Sequence, residues 1–301
     1  RFILTGSAVP AADPIRHTGA ARFIRVRQRT MTWAEKGGCL NADGVSLRAL
    51  FDGAIPHPSM SAAPLEQIVH GILHPGFPGL LSAPSDIAAI LALLPIDITF
   101  IDKDDKQRFF SNPGQVFARP RLALNSDVRN CHPANVLPVV EQLIASLARS
   151  TASEVSQATL RKDMSRTLPA PSEGTTAKLL ELLERVFLLE TIQPWAVSLR
   201  SKARLRRSSK YHLADPALAA AALHADANRL STDLATLGFL FESAVVHDLL
   251  VYAEALGGHV YHYRDSNGHE IDAVLTMPNG SWAAIEVKLG GGQAQRGAES
   301  L

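Results

Sequence analysis

The sequence predicts a mixed α/β protein of several domains. Strand-like alternation and 3.6-residue helical periodicity trade places repeatedly along its 301 residues. With 46% hydrophobic and 20% charged residues, the chain has apolar material for more than one core. Its length suggests about two domains of roughly 100–200 residues each. The balance of 30 Lys+Arg against 29 Asp+Glu excludes a polybasic arm or an acidic tail as the main theme. Two cysteines, Cys39 and Cys131, exclude a disulfide framework and a Cys-rich zinc site. A reduced, cytoplasmic setting is the expectation. No uninterrupted apolar run reaches the roughly 18–20 residues of a membrane span and no signal-peptide pattern is present, so no membrane partner is expected.

The elements read in order. Phe2–Thr5 predicts a buried strand, and Ala21–Arg27 a second β-rich run with Phe23, Ile24 and Val26 among arginines. Leu65–Leu73 and Ile87–Leu94 carry helical spacing. Ile96, Ile98, Phe100, Phe109 and Phe110 flank the polar turn Asp102–Lys106, which reads as strand, turn, strand. Helical periodicity returns over Val136–Ala148, then over Glu154–Met164 and Thr175–Val186, the last two separated by the Pro/Ser/Gly stretch Pro169–Gly174. Two helices, a turn and the following strand-like Leu188–Ile192 fit a winged helix-turn-helix. One long helix is expected over Leu230–Leu256, followed by three short strands.

Charge is unevenly placed. Residues 145–212 hold 12 Lys/Arg and 6 Asp/Glu, whereas 241–301 hold 3 and 8. Arg200, Lys202, Arg204, Arg206, Arg207 and Lys210 form a basic stripe with no acid among them, suited to the phosphate backbone of double-stranded DNA or to a solvated linker. Few aromatics accompany it, so stacking on single strands is not expected.

The densest chemistry lies near the end. Ile271–Leu275 and Trp282–Leu289 alternate as strands around the turn Met277-Pro278-Asn279-Gly280. A three-residue loop, 278–280, sets Asp272 opposite Glu286, with Lys288 on the same face. A two-residue Asn279-Gly280 loop would set Asp272 opposite Val287. Chemistry favours the first register, or a bulge. Asp272 and Glu286 would then supply oxygen ligands to Mg²⁺, Lys288 would orient the attacking water, and Glu242 on the preceding helix would add a third carboxylate.

These residues resemble the PD-(D/E)xK restriction-endonuclease-like fold, whose hallmark is an acid followed, on the next strand, by Glu-x-Lys. Here that is Asp272, then Glu286-Val287-Lys288. A wider resemblance covers most of the chain. Arg1–Ala8, Arg16–Phe23, Met31–Glu35, Gly76–Gly79, Leu147–Glu154, Lys210–Pro216 and His262–Asp265 resemble the later part of a bacterial AAA-type ATPase with a nuclease-like C-terminal domain of unknown function. The resemblance implies that Leu4–Ser7 is a strand whose polar end, Ser7, senses the nucleotide γ-phosphate. It also makes Arg16 and Arg22 candidate phosphate-facing guanidinium groups. It implies self-association through the ATPase module. The family places its P-loop before the point where Arg1 begins, and no G-x-x-x-x-G-K-[ST] occurs here, so ATP binding is expected only with an N-terminal part. Both ends lead us to expect a piece of a longer protein. Residues 95–144 resemble a PAS-type sensor segment, in which His132 is a candidate haem or metal ligand or a packing residue.

The expected order is thus a remnant of an AAA-type module with its lid (1–94), a PAS-like segment (95–144), a winged-helix domain with basic linker (145–212) and a nuclease-like domain (213–301). The leading functional expectation is a nucleic-acid or partner binding and regulatory module. The alternatives are a Mg²⁺-dependent DNA endonuclease using Asp272, Glu286 and Lys288 with Glu242, and a PAS-type sensor.

Overall fold

In the computed structural model the described residues are 26–38, 45–55, 63–80, 97–101, 107–110, 121–125, 133–166, 169, 171–196, 208–265 and 267–290. They form helices α1 (Leu47–Phe51) and α2 (Leu65–Leu73), then strands β1 (Asp97–Ile101), β2 (Gln107–Phe110) and β3 (Arg121–Asn125). Helices α3 (Pro133–Arg149), α4 (Gln157–Met164) and α5 (Glu173–Arg185) lead into strands β4 (Leu189–Ile192) and β5 (Lys210–Leu213). Helices α6 (Pro216–Ala222), α7 (Ala227–Thr232) and α8 (Leu234–Ala255) precede strands β6 (His259–Arg264), β7 (Glu270–Thr276) and β8 (Trp282–Ile285). The chain is mixed α/β, with one small mixed sheet, β2-β1-β3, and two antiparallel sheets, β4-β5 and β6-β7-β8. The strand, turn, strand reading of 96–110 corresponds to the antiparallel β1/β2 pair, while β3 joins β1 in parallel. The readings at 2–5 and 87–94 lie outside the described residues.

Capping chemistry decides where the helices start. Ser156 Oγ accepts from Thr159 N at 3.1 Å and Ser172 Oγ from Thr175 N at 3.1 Å, satisfying first-turn amides that have no helical partner. Helix α4 begins three residues later than its periodicity suggests. Glu154 is held instead in a bridge to Lys210, with Val155 N donating to Ser209 O at 3.3 Å. The single helix expected over 230–256 is two. Asp233 (φ −103°, ψ 77°) closes α7, and its carboxylate accepts from Thr236 N at 3.1 Å to open α8. A short acid at that point competes well enough for backbone amides to break an otherwise apolar run.

Helices α2 through α7 share a core that includes Ile72, Leu143, Leu147, Leu160, Met164, Leu183 and Leu218. A second cluster joins Val246, Leu249 and Ala253 of α8 to Val260, Ala273, Leu275 and Ile285 of the last sheet. Ala273 and Leu275 of β7 pack against α8, while Asp272 meets the Lys210 ammonium that Glu242 of α8 also holds. By length and composition alone α8 could cross a membrane, with a mean hydropathy of 1.6. Here it is the central packing helix, in contact with α2, α6, α7, β6 and β7, and it buries Glu242 and His247.

Two features tie distant parts of the chain together. The β6/β7 register shifts between Tyr261 and Tyr263, and the backbone of His262 pairs beyond the end of β4. There His262 N donates to Gln193 O at 3.1 Å, and Trp195 N donates to His262 O at 2.6 Å. The segment 26–38 acts as a strap across the same elements. Arg29 pairs with Glu190 of β4 at 2.9 Å and with Glu254 of α8. Thr30 Oγ1 lies 2.9 Å from His247 Nε2, and Trp33 N donates to Asp248 at 3.1 Å.

The Trp33 ring seats directly on Gly71, where a Cβ would come within 2.2 Å of it. Helix propensity alone would make Gly71→Ala stabilising by about 1 kcal/mol. We expect the opposite. Displacing Trp33 should cost roughly 1–3 kcal/mol, read as a lower urea midpoint together with a changed tryptophan emission. An unchanged or higher midpoint would show that the ring does not seat there.

Candidate functional site

The hairpin β7/β8 builds the site's frame. Met277 N donates to Ser281 O at 2.9 Å, closing a three-residue loop in which Gly280 takes φ +86°, a left-handed conformation suited to glycine. Ala273 then pairs with Ile285 and Val274 with Ala284. Continued by one step, that register sets Asp272 opposite Glu286, as the favoured loop length predicts. The chain leaves the ladder there, because Val287 N donates to Asp272 Oδ2 at 2.8 Å. The carboxylate replaces a backbone acceptor and swings Lys288 inward. Lys288 Nζ lies 2.5 Å from Glu286 Oε1 and 3.7 Å from Asp272 Oδ2.

Glu242 approaches from α8, and the fold adds two residues to the expected set. Lys210 of β5 extends into the cluster with 1% of its side chain exposed. Its ammonium is 2.9 Å from Glu242, 2.9 Å from Glu270 and 3.8 Å from Asp272. Lys210 is not available to the expected DNA-binding stripe, because β5 is buried along its length and its side chain turns toward carboxylates. Glu270 precedes Asp272 by two residues on β7, so strand alternation alone puts both on one face; that spacing was the available signal.

Burial pushes the Glu242 carboxyl up to about 7, with Lys210 opposing and Asp272 adding to the rise. Burial works to lower the Lys210 ammonium, but the Glu242 and Glu270 carboxylates outweigh it and hold it above the ordinary lysine value. Glu270 is held low: burial opposes this, and Lys210 prevails. Beside the cluster, His212 Nδ1 lies 3.1 Å from Ser243 Oγ. Burial, then Lys210 and His262, press the His212 imidazole down to about 3.

The donor set bears on the metal that the resembled fold implies. Among the described residues no group of three or more His, Cys, Asp or Glu side chains is arranged to hold a metal ion. Asp272 and Glu286 do face each other, but a lysine ammonium already engages each of them. The arrangement does not fit a divalent metal. What it does chemically is hold buried negative charge against two fixed cations. Ser7, Arg16 and Arg22, the stripe residues Arg200, Lys202, Arg204, Arg206 and Arg207, and His132 all lie outside the described residues.

Two family models match the chain, both domains of unknown function. Residues 117–229 match DUF8612. Residues 237–301 match DUF4143. DUF4143 commonly follows AAA-type ATPase domains, which agrees in part with the resemblance read from the sequence. Neither the curated proteins nor the solved structures gave a match. The carboxylate cluster spans both matches, with Lys210 in the DUF8612 segment and Glu242, Glu270, Asp272 and Glu286 in the DUF4143 segment.

The two strongly shifted groups act on stability with opposite signs. His212 sits below the ordinary histidine value of about 6.5, so its contribution is present above that pH and is lost as pH falls toward about 3. Glu242 sits above the ordinary glutamate value, so its contribution is present at low pH and is lost as pH rises through about 7. The His212 effect is on the order of 5 kcal/mol at full extent. In urea titrations at stepped pH, His212→Asn should lose the acid-side decline that the parent shows below about 4.5. Glu242→Gln should uncover a decline starting near 6.5. Profiles parallel to the parent's would rule these assignments out.

Proposed function

We propose that this chain is a nucleic-acid-binding regulatory module working alongside an AAA-type ATPase, and that it grips double-stranded DNA by the backbone through a winged helix. The observation that carries the reading is where the basic stripe sits in the chain. Three helices, α3 to α5, precede the antiparallel pair β4/β5, in the order of a winged helix. The connection between those strands would be the wing, and residues 193–209 carry Arg200, Lys202, Arg204, Arg206 and Arg207 with no acid. The exposed positions of α5 include Glu173, Lys178 and Glu181, which do not make a basic reading face. Contact with phosphates is therefore favoured over base readout. In this reading ATP belongs to the ATPase part, through which copies of the chain would also associate in the cytoplasm.

The alternative, a Mg²⁺-dependent endonuclease, draws support from the register that sets Asp272 opposite Glu286 with Lys288 beside both. Lys210 weighs against it. An ammonium among the carboxylates cancels the charge that phosphodiester hydrolysis would use to bind its metal.

Fluorescence anisotropy with a duplex oligonucleotide across a salt series tests the proposal. Binding should weaken steeply with salt, and a Gln triple variant at Arg204, Arg206 and Arg207 should lower the log–log slope by roughly 3. A plasmid incubated with Mg²⁺ or Mn²⁺ should stay intact. Binding unaffected by the triple variant would remove the DNA reading. Cleavage abolished by Lys288→Ala would establish the nuclease instead.

A further inference from the structure

We infer that the carboxylate cluster carries its own cation: the Lys210 ammonium stands where the resembled nuclease fold would hold a divalent metal, and the site persists without one. The inference goes beyond the DNA-binding reading and does not depend on it.

Three acids, Glu242 on α8 and Glu270 and Asp272 on β7, converge where two of them are nearly closed to solvent. Glu242 is 8% exposed and Asp272 6%. Carboxylates at that depth need a counter-charge that travels with the fold. Lys210 supplies it. An ammonium has three N–H donors and no acceptor, and the three acids lie 2.9, 2.9 and 3.8 Å from its nitrogen. Glu286 Oε2 is buried without a hydrogen-bond partner, but the oxygens nearest the two lysines are engaged. Asp272 Oδ2 accepts from Val287 N at 2.8 Å, and Glu286 Oε1 is paired with Lys288. A divalent ion bound at roughly 2.0–2.6 Å from these oxygens would sit a few ångströms from a fixed positive charge. Lys210 is also a long side chain anchored on a buried strand, so the network holds it in place.

The experiment is a melting series on the chain without DNA, with MnCl2 as the metal probe. The parent's melting temperature should be unmoved by millimolar MnCl2 or by EDTA. Lys210→Met should lower it by many degrees, because the carboxylates are left uncompensated. Adding Glu242→Gln to Lys210→Met should recover more than half of the loss, because no unpaired buried charge then remains on that pair. Stabilisation of the parent by Mn²⁺ would overturn the inference. So would a Lys210→Met variant that melts like the parent, or a double variant that melts no higher than the single one. Loss of DNA binding by stripe variants leaves all of these outcomes untouched, so the two proposals fail separately.

Discussion

A charge cannot be left alone in a protein interior, and much of this structure follows from that constraint. The Lys210 ammonium is almost fully enclosed, and it can be enclosed only because Glu242 and Glu270 arrive within hydrogen-bond distance. Those acids come from a helix and a strand that begin well over twenty residues later in the chain. Closing the network therefore brings β5, α8 and β7 to fixed positions. The last sheet is held on α8 by apolar contact at one face and by ion pairs at its end. Apolar burial supplies most of the attraction, while the ion pairs specify which arrangement is reached.

The strap at 26–38 uses the same physics. Arg27 and Arg29 both pair with Glu190, and Arg29 also reaches Glu254, so one short segment spans β4 and α8. Trp33 adds packing against Gly71 and an edge-on contact with Phe241 at 6.0 Å between centroids.

Much of this was legible in the sequence, for a local reason. Strand alternation and the Pro-Asn-Gly turn narrowed Asp272 to two registers, and the chemistry of a paired carboxylate chose the one opposite Glu286. Helical periodicity located α2 and α3 on the same grounds. The split at Asp233 was missed because hydropathy outweighs a single capping residue when a long apolar run is read by period. Lys210 was misassigned for a different reason. Its neighbours in sequence are basic and its neighbours in space are acidic, and only the pairing Ile192↔Lys210 and the approach of α8 reveal the second fact. A long-range charge pair leaves no local pattern to read.

The register shift at His262 has a consequence for how such chains are divided. The backbone of His262 bonds Gln193 and Trp195, so hydrogen bonds run directly from the DUF8612 segment to the DUF4143 segment. The two matches part between residues 229 and 237, where a single aspartate closes one helix and opens the next, so no tether separates them. Sequence similarity thus draws its border through a joint that the fold treats as continuous. Either segment taken alone would lose a partner: the backbone of His262 its bonds to Gln193 and Trp195, and Glu242 its cation.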